Sequence, residues 1–268
     1  MQLLHLLYKA VRLYFNVGAD QAAAALAYFA PFALVPLMVF SITLVGFFTG
    51  PETVVQLLQS WGNALGDGLS SILTQSIDRF DAVTAAYYVP WLGALVMFGL
   101  VLTTFGTLSL GLQRIWNIQS RGFRGWVERL VRSFVFFLLI QLYLIFVIAG
   151  ELIIATVFGD LLAFSGYEQI RVAALLVFTV ILFTSGYRIL TWDSLPLRAR
   201  FAGGMVAATL FLFTQQIAGW WLSTPVYDMY GTAGAVLGLL VWIYLATSII
   251  YYGAAFAAVY SQVKKPML

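Results

Sequence analysis

The chain's longest uninterrupted apolar pattern is Ala22 to Phe48, which opens Ala22-Ala23-Ala24-Ala25-Leu26-Ala27-Tyr28-Phe29-Ala30-Pro31 and carries no charge between Asp20 and Glu52. Such a run exceeds the roughly 20 residues that cross a bilayer as a helix. Pro31 and Pro36 punctuate it, and each removes a backbone donor and crowds the preceding turn. In lipid the freed carbonyls need partners from neighbouring helices, side chains or water. The pattern predicts a kinked first span whose alanine-rich half packs closely inside a bundle.

Ahead of that span, residues 2–17 arrange Leu3, Leu6, Leu7, Leu13, Tyr14 and Phe15 around Lys9 and Arg12. This is the pattern of a short amphipathic helix over residues 1–20, lying in the membrane interface. It makes a poor signal peptide, because the apolar run behind it is too long and lacks a clear processing site. Asp20 stands where a carboxylate caps a helix and favours its N-terminal dipole.

Residues 49–88 follow a different rhythm. Gly50-Pro51-Glu52 breaks the helix, and Val54, Val55, Leu58, Trp61, Leu65, Leu69, Ile72, Leu73 and Ile77 recur among Glu52, Asp67, Asp78, Arg79 and Asp81. The spacing predicts an amphipathic helical hairpin, hinged near Gly66-Asp67-Gly68, on the outer side of the membrane.

Further spans are expected at Val89–Leu112, Ser133–Val157, Val172–Tyr187, Phe201–Leu222 and Gly231–Tyr260. The fourth is short, but Arg171 and Arg188 at its ends can snorkel. The expected fold is therefore all-α: one polytopic membrane domain, residues 1–268, with six transmembrane helices. Composition agrees, since only 9% of residues are charged and 62% are hydrophobic, against about 25% charged in soluble domains. The mean hydropathy is +0.93.

The charges set the orientation. Lys9, Arg12, Arg114, Arg121, Arg124, Arg129, Arg132, Arg188, Arg198, Arg200, Lys264 and Lys265 fall on one side of such a bundle, and only Arg79 and Arg171 on the other. Glu52, Asp67, Asp78, Asp81, Asp160, Glu168 and Asp228 lean the opposite way. The positive-inside rule places both termini in the cytoplasm, as an even number of spans requires. The basic segments then read as topology signals and lipid-headgroup contacts, with no nucleic-acid partner.

Candidate chemistry is sparse. There is no cysteine and one histidine, His5, so thiol catalysis, disulfides and a metal cluster have no ligands. No Gly-x-Ser-x-Gly elbow or phosphate-cradling loop is present. An enzyme is not expected, nor is a cofactor. Polar groups inside the apolar spans are the better guide, because they are costly there. Glu151 follows Arg132 by roughly 28 Å of helix, and Gln215 and Gln216 follow Arg200 by about 23 Å. With Arg171 and Tyr28 they are the candidate substrate-binding residues of a polar cavity open outward, and Trp242 and Tyr244 could line the same path. Equally, Glu151 and Arg171 could be an ion pair pinning two helix ends, with the glutamines bonding across helices.

The block Ala23-Ala24-Ala25-Leu26-Ala27-Tyr28-Phe29 with Leu34-Val35-Pro36 resembles the opening signature of the YihY/BrkB family of bacterial inner-membrane proteins. Leu112-Gln113-Arg114-Ile115-Trp116-Asn117 is similar to that family's motif after its second helix. Tyr230-Gly231-Thr232-Ala233-Gly234, then Trp242-Ile243-Tyr244-Leu245 and Tyr252-Gly253-Ala254, resemble its closing signature. The resemblance implies six helices in the bacterial inner membrane. It also implies a role in transport of lipids or envelope precursors, not the ribonuclease activity the family was once credited with. The family's closing Gly-Ala is often followed by Glu, where this chain has Ala255, so nothing assigned to that acid carries over.

Two function classes follow. One is a transporter or flippase for a lipid or small amphiphile, using a polar cavity between kinked helices. The other is a membrane scaffold or regulator that recruits partners through its basic face. Reporter fusions after Lys265 and near Asp193 should read cytoplasmic, and fusions near Gly66 and Glu168 external. A cytoplasmic signal from the 49–88 segment would overturn the six-span topology.

Overall fold

The computed structural model describes residues 2–49, 89–118, 122–157, 167–191, 195–222 and 231–263. Among them every regular element is a helix: α1 Gln2–Asn16, α2 Ala19–Thr49, α3 Val89–Ile115, α4 Gly122–Val157, α5 Tyr167–Thr191, α6 Leu197–Leu222 and α7 Gly231–Val263. Four contain stretches long and apolar enough to cross a membrane: Gly122–Val147, Gln169–Thr191, Leu197–Ile217 and Val236–Gln262. α2 and α3, with 31 and 27 residues, match them in length. The hairpin expected over 49–88 lies outside the described residues.

One expectation needs correction. α4 begins at Gly122, not Ser133, so Arg124, Arg129 and Arg132 ride on a helix and not on a connection. The reason is local: Glu128 meets Arg124 Nε at 3.2 Å and Arg132 Nη2 at 3.1 Å, each four residues away, which supports helix. In α2, helical backbone continues through Pro31 and Pro36.

Helices sit side by side in chain order from α2 to α7, and α7 closes the ring against α2, while α3 also touches α5 and α7. α1 turns back at Gly18 (φ 67°) and lies on α7. Its surface has three sectors. Ala10 and Tyr14 are buried against the bundle, His5, Lys9 and Arg12 are exposed, and Leu4, Tyr8, Val11 and Phe15 form an exposed apolar stripe. That is the surface of a helix lying along an interface. The bundle is equally apolar outside: Leu142, Phe146, Val177, Ile181, Phe213 and Leu237 are all exposed. A side-chain surface of this kind is stable in lipid, not water.

Small residues set the interior. Gly203 and Gly253 face each other across α6 and α7, Gly111 lies under the Tyr251 ring, and Gly186 under Phe136. Ala207, Ala254, Ala255 and Ala257 expose no surface at all. Lipid tails are as apolar as leucine, so helices here gain from close backbone approach more than from burial itself. A methyl at Gly253 would stand 2.5 Å from Tyr187 Oη and 2.7 Å from Ala207 Cβ. Gly253→Ala should therefore lower stability in detergent by about 1–3 kcal/mol. Gly99→Ala, with nothing within 4 Å, should be neutral or mildly stabilising. Thermal melts of the two variants check this, and equal melting would overturn it.

Candidate functional site

A polar constellation that links four helices lies at the basic end of the bundle, where α3 stops. Asn117 takes a left-handed backbone (φ 53°). Ile118 N donates to Gln113 O at 2.8 Å and Asn117 N to Arg114 O at 3.2 Å. These two bonds close the helix in the manner of a Schellman cap, with asparagine in the position glycine usually fills. The cap holds Trp116 against its neighbours: its Nε1 donates to Ala254 O at 2.9 Å, and its ring meets Tyr187 edge-on at 5.8 Å.

Further side-chain donors sew the same level together. Tyr187 Oη donates to Ile250 O at 2.7 Å, Ser109 Oγ to Leu190 O at 2.7 Å, and Gln113 Nε2 to Ser109 Oγ at 3.1 Å. Tyr252 Oη reaches Leu7 O of α1 at 3.3 Å. Thus the 112–117 block and the 252–254 block, far apart in sequence, form one clasp that draws in α1, α3, α5 and α7. Chemically it is a set of hydroxyl and indole groups donating to main-chain carbonyls, with the Gln113 amide donating to the Ser109 hydroxyl.

A second polar contact lies deeper. Gln141 is buried, and its Nε2 donates to Leu37 O at 3.1 Å, one residue past Pro36. Gln141 follows Arg132 by roughly 14 Å of helix, near mid-membrane depth. Close by in sequence, Tyr143 Oη and Thr179 Oγ1 lie 3.2 Å apart, linking α4 to α5. Sequence inspection shows Gln141 as a polar residue in an apolar run. Only the packed bundle shows that it meets the proline-bearing helix.

The residues singled out by sequence fall elsewhere. Tyr28 is exposed on the outside of α2, beside Phe29 and Phe32. Gln215 and Gln216 are exposed on α6. Arg171 is half-buried at the start of α5 and already holds an interaction. Glu151 lies on α4, but its side chain, and with it the expected pair to Arg171, is outside the described residues. Trp242 and Tyr244 are half-buried, Trp242 against Phe211 at 6.2 Å. Between α5 and α6 a cleft of about 590 Å³ is lined by Gln169, Val172, Ala173, Leu176, Thr209 and Leu212. Its wall is largely apolar, so it suits an acyl chain better than a charged solute. No group of three metal-ligating side chains occurs among the described residues.

Long apolar helices with lipid-facing exteriors and internally satisfied carbonyls define an integral, multi-pass helical membrane protein. The family model described as virulence factor BrkB matches residues 13–267, and the chain belongs to that family. Its relatives include UPF0761 membrane proteins. It is 28% identical to one from Alkalilimnicola ehrlichii, over 88% of this chain and 54% of that protein. It is 26% identical to one from Alcanivorax borkumensis, over 91% and 57%. A third, from Aggregatibacter aphrophilus, is 24% identical over 91% and 87%. The chain thus spans little more than half the length of the first two. No solved structure matches it.

Trp116→Phe keeps the ring but removes the donor to Ala254 O, and should cost about 1 kcal/mol. Asn117→Val, forced into a left-handed backbone, should cost a further similar amount, while Asn117→Gly should be neutral. Detergent melts check both. Indifference to Asn117→Val would show that the cap does not hold the clasp.

Proposed function

We propose that this protein is a transporter or flippase of the bacterial inner membrane, handling a lipid or small amphiphile and performing no bond chemistry of its own. Six helices, α2 to α7, cross the membrane in this reading. The basic end, the interfacial helix α1 and both termini face the cytoplasm, as the positive-inside rule directs.

The observation that carries the reading is the contact of Gln141 with Leu37 O beside Pro36. Pro31 and Pro36 leave the carbonyls of Ala27 and Phe32 without their intrahelical donors, so α2 bends more readily there. A buried amide in lipid is costly and marks function by default. Placed on a softened helix near mid-membrane, it makes a joint that can open and re-form. Below it, the clasp of Trp116, Tyr187 and Tyr252 closes the cytoplasmic side. The apolar cleft between α5 and α6 offers a lipid-facing path for an acyl chain.

The test is phospholipid flipping in proteoliposomes, read with fluorescent lipids and a membrane-impermeant quencher. The wild-type protein should accelerate exchange over empty vesicles. Replacing Pro31 and Pro36 together by Ala should preserve folding, and even stabilise α2, since proline costs about 3 kcal/mol in a helix interior. Exchange should fall nevertheless. Exchange no faster than in empty vesicles, for zwitterionic and anionic lipids alike, would favour the scaffold reading, in which the basic face recruits partners.

A further inference from the structure

We infer that Arg129, at the seam of α3 and α4, holds the phosphate of an anionic phospholipid of the adjacent leaflet. The first turns of α4 carry Arg124, Arg129 and Arg132 against one acid, Glu128. Both Glu128 oxygens are engaged, Oε1 by Arg124 and Oε2 by Arg132. Arg129 has no hydrogen bond or ion pair among the described residues, and its Nε is buried without a partner. Its methylenes run over Gly106 of α3, Cδ and Cγ lying 3.7 and 3.9 Å from where a Cβ would stand. The stem is thus fixed at the helix seam, and the guanidinium, half-buried, has no counter-charge of its own. Arg132, one turn further along and buried, adds repulsion.

A cation held this way at a membrane face needs an anion, because the low dielectric leaves it poorly solvated. The anion must reach it from the lipid side, and the same turns show which. Phe123 and Trp126 are exposed and stacked on each other, with centroids 5.8 Å apart. Aromatic pairs of this kind sit at the level of lipid headgroups. Beyond them Val127, Val131, Phe134 and Val135 continue the exposed face with aliphatic and aromatic surface. Along α4 the exposed Phe123 and Trp126 precede Arg129, and the exposed Val131, Phe134 and Val135 follow it, so the guanidinium stands between headgroup-level rings and acyl-level side chains, where a phospholipid carries its phosphate. Arginine suits the phosphate because its planar fork can donate twice. Basic pockets between helices on this side of a membrane are known to hold such headgroups. The site stands whether or not the protein moves lipid.

The measurement is thermal stability of the full chain in nanodiscs of phosphatidylcholine, with or without a minor fraction of phosphatidylglycerol. The anionic lipid should raise the melting temperature of the wild type. Arg129→Gln should lose most of that gain, with about tenfold weaker lipid binding by native mass spectrometry, while melting normally in phosphatidylcholine alone. Arg129→Lys should keep part of the gain. Neutralising Lys9 and Arg12 together should leave it intact. An equal loss from that pair would overturn the site in favour of diffuse surface charge. An equal gain from inorganic phosphate in phosphatidylcholine would overturn the lipid assignment in favour of a free anion. If Arg129→Gln does not fold, a photoreactive phosphatidylglycerol on the wild type decides the matter. Labelling concentrated in residues 122–133 supports the site, and labelling that avoids them sinks it.

Discussion

The close approach of helix backbones at small residues is the constraint on which the rest of this bundle depends. Where Gly203 meets Gly253 no side chain separates α6 from α7, and at Gly111 the Tyr251 ring packs directly on the α3 backbone. That proximity brings main-chain carbonyls within reach of tyrosine, tryptophan and serine donors on neighbouring helices. Trp116 could not reach Ala254 O, nor Tyr187 reach Ile250 O, across a leucine-spaced interface. Packing and hydrogen bonding are therefore one arrangement here.

The bundle joins this tight basic end to the proline-bearing helix. α2 stays helical through Pro31 and Pro36, and the Gln141 amide adds a bond beside the second proline. The exposed arginines Arg114, Arg124, Arg188 and Arg198 lie at this basic end.

Much of the architecture was legible in the residue pattern. Long charge-free stretches mark helices that lipid can surround. The amphipathic character of residues 2–17 was equally plain, because Lys9 and Arg12 stand among leucines. The start of α4 was not legible. Ser133 seemed the natural beginning of the span, because Arg124, Arg129 and Arg132 read as a connection. Their i,i+4 pairing through Glu128 makes them helix instead.

By itself, then, the sequence determined the class and where the long apolar helices fall, since these depend on the local balance of apolar and charged residues. Which polar residues matter was decided by tertiary structure. Gln215, Gln216 and Tyr28 stood out in an apolar context, yet they lie on the outer surface of the bundle. Gln141 and Trp116 acquire their roles from partners on other helices, 104 and 138 residues away in the chain. Arg129 is distinguished by having no partner among the described residues, which no sequence pattern records. A side chain's chemistry is written in its residue type, but whether it is satisfied depends on what the folded chain places beside it.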